Sequence, residues 1–400
     1  MRQAPGVPAP LAGEDRADRG RLRICMLLHK DVAHDTRVRR EAAALTGAGH
    51  ELTIVHLPPH PDSEPTGLPY RLDAATLRRG RQRLPHALRL GVEATRLARR
   101  AVASRPDAVH AHDAAMLLPG LLVARNSGAK LVYDSHELAT GVPYRRGAWP
   151  TVVAGAERLG APRADAVIAV SDGIAAKLTE RYGLRRPPSV IRNLPDLPPP
   201  GAAPAPDLRR ELGIDDAPLL LHQGAVAAGR GGEVLLQALR LLPDSHLLFL
   251  GGQGPYAEGL RRFAAQCDVG ERAHFLDPVA PAALLSHTAQ ADVGISLLED
   301  SCENHRLALP NKLFEYVAAG LPVVVSDLPE AGRLVRERGI GWCANPADAG
   351  SVALALREAL AQRNDEGLRT RLALTASELT WGNEKRRLTA VYAELAEGGR

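Results

Sequence analysis

A chain of 400 residues exceeds what one hydrophobic core usually holds, so two domains of ordinary size are expected. Hydrophobic residues make up 45% and charged residues 24%, values that exclude a disordered chain, and aromatics at 4% leave Leu, Ala and Val to fill the cores. The net charge of +4 is unevenly placed: residues 1–200 hold 30 Lys+Arg against 20 Asp+Glu, leaving 20 against 26 for residues 201–400, so the halves carry about +10 and -6.

The N-terminal stretch MRQAPGVPAPLAGEDRADRG has no apolar segment of the signal-peptide kind, and residues 1–21 are expected to be a disordered tail. No later stretch reaches the roughly eighteen uninterrupted apolar residues of a membrane span, so the chain is not expected to cross a membrane, and its cysteine usage suits a reducing cytoplasm. Cys25, Cys267, Cys302 and Cys343 lie far apart, with neither the pairing of a disulfide framework nor the spacing of a zinc site. An N-terminal domain is expected over 22–198. RICMLLH reads as a buried strand, DTRVRREAAALTGAG as a helix ended by glycine, and HELTIVHL as a strand, a βαβ unit. LRRGRQRLPHALRLGVEATRLARR follows, with arginines that suit either an anionic lipid surface or plain solvent around a helix whose Leu84, Leu88 and Val92 pack inward. No aromatic residue interleaves them for base stacking, so a nucleic-acid partner is not expected. Strands AVHAH, KLVYDS and ADAVIAVS, the helix GIAAKLTERYG and the strand SVIRN complete the domain. Apolar strands alternating with helices mean a parallel sheet covered on both faces.

PDLPPPGAAPAPD, with six prolines, can continue neither helix nor strand, and residues 199–207 are taken as a semi-rigid linker. The rhythm then restarts in a C-terminal domain over 208–380. PLLLHQG, SHLLFLGG, AHFLD, ADVGISLL and PVVVSD read as strands, and GGEVLLQALRLL, YAEGLRRFAAQCD and PAALLSHTAQ as helices. A last amphipathic helix over 381–400 is free to cross back to the N-terminal domain. The fold class is therefore α/β, two doubly wound Rossmann-like domains facing a cleft, with ligands beyond the carboxyl ends of the strands.

Two stretches carry chemistry. HQGAVAAGRGGEVLLQAL places Gly224, Gly229, Gly231 and Gly232 between a strand and a helix with Arg230 among them, so backbone N–H groups and a helix N-terminus can close on a phosphate. The Lys and Ser/Thr of a Walker loop are missing, which argues against an ordinary kinase or ATPase. A glycine-rich turn with a solvated arginine is the plain alternative. In LPNKLFEYVAAGLP, Pro310 suits a helix start and Gly320 a stop, and Lys312 and Glu315 share one face of the first turns. A diphosphate could sit on the N–H groups and Lys312 while Glu315 accepts hydrogen bonds from ribose hydroxyls; an intrahelical Lys–Glu pair is the plain alternative.

In order and spacing, LPNKLFEYVAAGLPVVVSDLPE, HQGAVAAGRGGEVLLQA, LLFLGGQGPY and the series VHAHD, LVYDSHEL, ADAVIAVSDGIAAKL resemble the GT-B glycosyltransferases of the large retaining family 4 type, over about residues 22–395. The subgroup with the PNKLFEY motif is the nearest in form. The resemblance implies that the C-terminal domain holds a UDP- or GDP-sugar and the N-terminal domain a glycan, lipid-linked or small-molecule acceptor. It also implies that no metal or other cofactor is needed, because basic residues and a helix dipole neutralise the leaving diphosphate. It assigns Arg230 and Lys312 to the diphosphate, Glu315 to the ribose, Gly224 and Asn311 to the donor loops, and Pro278 and Val279 to backbone contacts with the base. His136 is then the catalytic residue beside the reacting sugar, or a histidine satisfied by Asp134 or backbone. His112 with Asp113, and Asp35 with Arg37, stand at strand ends as acceptor-site candidates, although Asp35 equally suits a helix N-cap. Two departures from the pattern are Leu307, where the first glutamate of the two-glutamate motif belongs, and Ala225, where an arginine often follows the first loop glycine. Glu303, Asn304 or a backbone group are the candidate substitutes for the missing carboxylate. The competing functions are a nucleotide-sugar 2-epimerase and a catalytically silent sugar-nucleotide-binding protein. The basic half suggests peripheral contact with the inner face of an anionic membrane.

Overall fold

The computed structural model describes residues 20–57, 68–74, 86–142, 149–195 and 207–398. The expected tail before residue 20, residues 75–85 at the start of the arginine-rich stretch and residues 196–206 of the proline-rich connector lie outside the described residues. In chain order the first part runs β1 (Arg23–Leu28), α1 (Thr36–Gly47), β2 (Glu51–His56), β3 (Arg71–Ala74), α2 (His86–Ala103), β4 (Ala108–His112), α3 (Asp113–Ser127), β5 (Lys130–Ser135), α4 (Trp149–Gly160), β6 (Ala166–Ala169), α5 (Asp172–Tyr182) and β7 (Ser189–Val190). The second part runs α6 (Leu208–Leu212), β8 (Leu219–Gln223), α7 (Gly232–Arg240), β9 (His246–Leu250), α8 (Gly254–Gln266), β10 (Ala273–Leu276), α9 (Pro281–Thr288), β11 (Val293–Ser296), α10 (Glu303–Leu307), α11 (Asn311–Ala318), β12 (Val323–Ser326), α12 (Pro329–Arg338), β13 (Gly341–Ala344), α13 (Ala349–Gln362), α14 (Glu366–Glu378) and α15 (Trp381–Glu397).

One sheet has the order β3-β2-β1-β4-β5-β6-β7 and the other β10-β9-β8-β11-β12-β13. The pairings of known register are parallel, for instance Leu220↔Val293 between β8 and β11 and Ile24↔Ala108 between β1 and β4. In each sheet the order reverses direction once, between β1 and β4 and between β8 and β11. At such a reversal the loops leaving neighbouring strands turn to opposite faces and open a crevice beyond the strands' carboxyl ends.

The chain divides into two compact units, residues 1–134 with 156–168 and 385–400, and residues 135–155 with 169–384. In the second unit the sheet is packed on both faces. Leu220, Phe249, Val293 and Ile295 meet Leu235, Leu236, Leu260 and Leu356 on one side. Leu219, Leu221, Val323 and Val325 meet Leu313, Tyr316, Leu368 and Leu372 on the other. Burial on both faces is why these strands read as continuous apolar runs. Residues 385–400 belong to the first unit, where Leu388 and Tyr392 of α15 are fully buried and the Tyr392 hydroxyl lies 2.9 Å from His110 Nδ1. Among the described residues no helix is long and apolar enough to cross a membrane.

The strands and helices expected from the sequence are present, with added elements. Edge strands β3 and β13 are short, four residues each, and carry little periodicity to read. Helix α3 continues through Pro119, and α10 is a five-residue turn of helix directly before the Pro310 that caps α11.

Candidate functional site

The second sheet reverses between β8 and β11, and the two glycine-rich and lysine-bearing stretches lie at that point. β8 ends in His222 and Gln223, and Gly224 follows with φ 85°, a left-handed turn that glycine adopts at no steric cost. Its N–H donates to Leu250 O at 2.9 Å, which holds the loop's first residue on the tip of β9. Gly229 and Gly231 also have positive φ, and the loop ends at α7 with Arg230 half-buried beside it.

Helix α11 starts at Asn311, which is exposed, with Pro310 as its N-cap, and stops where Gly320 takes φ 78°. Its apolar side, Leu313, Phe314, Tyr316 and Val317, is buried against the sheet. Gly294 of β11 makes room for that approach, because a Cβ there would fall 2.2 Å from Tyr316 Cγ. The Tyr316 hydroxyl then accepts from Gln223 N at 2.9 Å and donates to Ile295 O at 3.0 Å. One phenol thus satisfies backbone groups of both strands where they part.

Lys312 is 7% exposed, and its Nζ lies 3.2 Å from Nε2 of His222, a residue 1% exposed. Burial, with the positive charge of Arg230, pushes the Lys312 ammonium down to about 7 despite the opposing pull of Glu315. Burial likewise holds His222 well below the usual histidine range, with Lys312 and Arg230 adding to the effect, so its imidazole is neutral. A neutral ring accepting from Lys312 at Nε2 carries its proton on Nδ1, which has no hydrogen-bond partner. The arrangement brings Lys312 and Arg230 together beside a neutral imidazole, where a bound anion would favour the charged lysine. One turn along, the Glu315 carboxylate accepts from Gln223 Nε2 at 2.5 Å. Pro278 is exposed and Val279 half-buried in the loop between β10 and α9, with Val279 packed on the core below. The sequence singled out Arg230, Lys312 and Glu315. It missed His222, Gln223, Thr288 and the tyrosine bridge, for which the available signal was two polar residues ending an apolar strand just before a glycine loop.

His136, half-buried, follows β5 in a turn that belongs to the second unit. Ser135 Oγ donates to Glu137 O at 2.9 Å, and Leu138 N donates to Asn304 Oδ1 at 2.8 Å. Neither side chain considered as a substitute for the carboxylate at Leu307 is idle. Glu303 pairs with Lys177 at 3.1 Å and Arg181 at 2.8 Å, which lowers its carboxyl against the cost of burial, and Asn304 is engaged by Leu138. Leu307 turns its side chain toward Gly173, where a Cβ would lie 2.9 Å from its Cδ2, while its carbonyl accepts from Ser171 Oγ at 2.6 Å.

The acceptor-site candidates lie in the first unit, where Asp35, Arg37 and His112 are buried and Asp113 is half-buried. Arg37 is 3% exposed, donating to Asp134 from Nε at 2.9 Å and Nη2 at 2.8 Å and pairing with Glu41 at 3.0 Å. His112 Nδ1 lies 3.4 Å from Asp134 and its ring stacks on His110. Ligand atoms of Glu41, His110, His112 and Asp134 lie within 4.8 Å of one another, a grouping that could hold a metal ion. The Arg37 guanidinium already supplies a cation to both carboxylates, and a second one there would face its repulsion. Asp35 accepts from Val38 N at 3.1 Å, the N-cap geometry, and pairs with Lys30 at 2.9 Å. Asp113 takes φ 63°, a strained conformation for a residue with a side chain, at the turn from β4 into α3.

The family description Glycosyltransferase Family 4 matches residues 35–197 and Glycosyl transferases group 1 matches residues 217–362. The chain is 30% identical over 73% of its length to a D-inositol 3-phosphate glycosyltransferase of Xylanimonas cellulosilytica, covering 72% of that protein. It is 27% identical over 62% of its length to a GDP-mannose-dependent alpha-(1-6)-phosphatidylinositol monomannoside mannosyltransferase of Mycolicibacterium smegmatis. The match spans 65% of that mannosyltransferase, and 51% of its Mycobacterium tuberculosis counterpart. In fold it is similar to a sucrose-phosphate synthase of Thermosynechococcus elongatus, with TM-score 0.78 and 18% identity over 94% of this chain and all of that one. Anabaena HepE in complex with UDP-glucose gives TM-score 0.73 and 15% identity over 93% of this chain and 100% of that one. Two parallel-sheet α/β domains, together with these structural neighbours, define the GT-B fold. The chain belongs to the glycosyltransferases of the family 4 and group 1 type.

Proposed function

We propose that the protein transfers a sugar from a nucleoside diphosphate sugar, UDP- or GDP-linked, to a glycan, lipid-linked or small-molecule acceptor, with retention of configuration and without a divalent metal. The observation that carries this reading is the buried Lys312 beside neutral His222 and Arg230 at the start of α11, with Glu315 one turn on. In this reading the diphosphate takes the charge of Lys312 and Arg230 and the N–H groups of α11 and the glycine loop, while the ribose hydroxyls donate to Glu315. As the glycosidic bond breaks, negative charge grows on the leaving diphosphate, where these groups are preorganised to receive it. Pro278 and Val279 offer backbone contacts to the base, and His136 stands beside the sugar. The relatives that act on phosphatidylinositol mannoside and inositol phosphate, together with the basic first 200 residues, favour an anionic acceptor at a membrane surface met peripherally.

Thermal-shift screening against UDP, GDP, ADP and their sugars, followed by a turnover assay with an acceptor panel, tests the reading. Stabilisation by one nucleoside diphosphate and sugar transfer that survives EDTA are expected; stabilisation by none, or full loss on chelation restored by a divalent cation, would overturn it. Turnover with inversion at C2 of the sugar and no transfer would favour the epimerase reading. His136→Ala is expected to reduce turnover far more than nucleoside diphosphate affinity, and near-normal turnover would remove it from the site.

A further inference from the structure

We infer that Gln223 is a positioning residue for the Glu315 carboxylate, and that through it the protein recognises the ribose of a nucleoside diphosphate; this rests on the donor-site reading above. Gln223 is 1% exposed at the tip of β8, where the sheet reverses. Its Nε2 donates to Glu315 Oε2 at 2.5 Å, and its Oε1 lies 2.8 Å from Thr288 Oγ1 on α9. Thr288 is fully buried, and its single hydroxyl proton is shared between Gln223 Oε1 and the Leu284 carbonyl, also 2.8 Å away.

This chain fixes which way the amide points. A carboxylate facing the amide oxygen at such a distance would be repelled, so the nitrogen faces Glu315 and the oxygen faces the hydroxyl. The backbone N–H of Gln223 is itself held by the Tyr316 hydroxyl, so the amide hangs from a fixed strand end and not from a mobile loop. One Glu315 oxygen is thereby spent inside the protein. That bond gives the half-buried carboxylate a set direction, and in the donor-site reading the same direction presents it to a ligand with paired hydroxyls. His222 and Gln223 thus divide the work: neighbouring side chains leave opposite faces of β8, one meeting Lys312 and the other holding Glu315.

The test compares GDP and UDP with their 2′-deoxy forms and with inorganic diphosphate by calorimetry, in the wild type, Gln223→Met and Glu315→Gln. Wild type is expected to lose roughly tenfold or more in affinity when the 2′-hydroxyl is removed, as for a hydrogen bond to a charged group. Gln223→Met, which keeps the volume and removes the amide, should lose most of that discrimination while binding inorganic diphosphate within about twofold of wild type, since Lys312 is untouched. The double variant with Glu315→Gln should lose no more than either alone. Thr288→Val, which removes only the hydroxyl that orients the amide, should show the same pattern at smaller size and serves if Gln223→Met fails to fold. Full ribose discrimination retained in both Gln223→Met and Thr288→Val would overturn the inference and leave the ribose role of Glu315 standing. A wild type indifferent to the 2′-hydroxyl would overturn both.

Discussion

Lys312 carries a burial cost that a bound anion would relieve. Its ammonium is held down to about 7, so at pH 8 most of the free protein has it neutral. A diphosphate favours the charged form, so binding at pH 8 should take up about one proton, and affinity should fall as pH rises above about 7. Calorimetry at pH 8 in buffers of different ionisation enthalpy measures the uptake. Lys312→Ala should abolish it, and Lys312→Ala and Arg230→Ala should each weaken diphosphate binding by about 1.5–3 kcal/mol. Proton uptake unchanged in Lys312→Ala would place the titration elsewhere. The same shift acts on folding with a definite sign. A folded pKa of about 7 against the ordinary 10.5 means that the cost is fully present below the lower value and fades as pH climbs toward the higher.

At the scale of elements, the site depends on how closely α11 can approach the point where β8 and β11 separate. Gly294 permits that approach and Tyr316 exploits it, bonding to Gln223 N and Ile295 O. Gly294→Ala should therefore destabilise the protein by roughly 1–3 kcal/mol through overpacking, and should weaken nucleoside diphosphate binding because the displaced ring frees the backbone of Gln223. Denaturant unfolding with a lower midpoint and unchanged slope, run beside a binding isotherm, checks both; a normal isotherm would separate the tyrosine bridge from the site. Little of this was legible in the sequence. NKLFEYVAAG announces a helix with Lys312 and Glu315 three residues apart, but helical spacing alone puts both on the surface. Their partners are 90 and 92 residues away in the chain, on a strand whose apolar pattern says only that it is buried.

For the whole molecule, the last helix from Lys385 onward belongs with the first unit although it follows the second in the chain. Leu388 and Tyr392 are completely buried there, and Tyr392 reaches His110 beside the Arg37 cluster. Each such side chain contributes on the order of 2–5 kcal/mol when removed, which is a large part of a domain's stability. Ending the chain after Glu384 should accordingly lower the unfolding midpoint of residues 22–134 selectively, while amide protection in β8 to β12 persists. Hydrogen exchange read by mass spectrometry distinguishes this from a uniform loss, which would mean that the units do not unfold independently.

The sequence by itself determined the α/β class, two doubly wound sheets and the family, because strand burial, helix caps and glycine loops are local patterns with fixed spacing. It also picked out Arg230, Lys312 and Glu315 as residue types suited to a nucleoside diphosphate. Only the tertiary structure decided that Lys312 is buried against a neutral histidine, that Gln223 and Thr288 hold Glu315, and that Arg37 and His112 are locked with Asp134 inside the first unit. The physical reason is one of distance: charge state and orientation depend on burial and on partners far away in the chain, and neither can be read from the spacing of residues along one helix or strand.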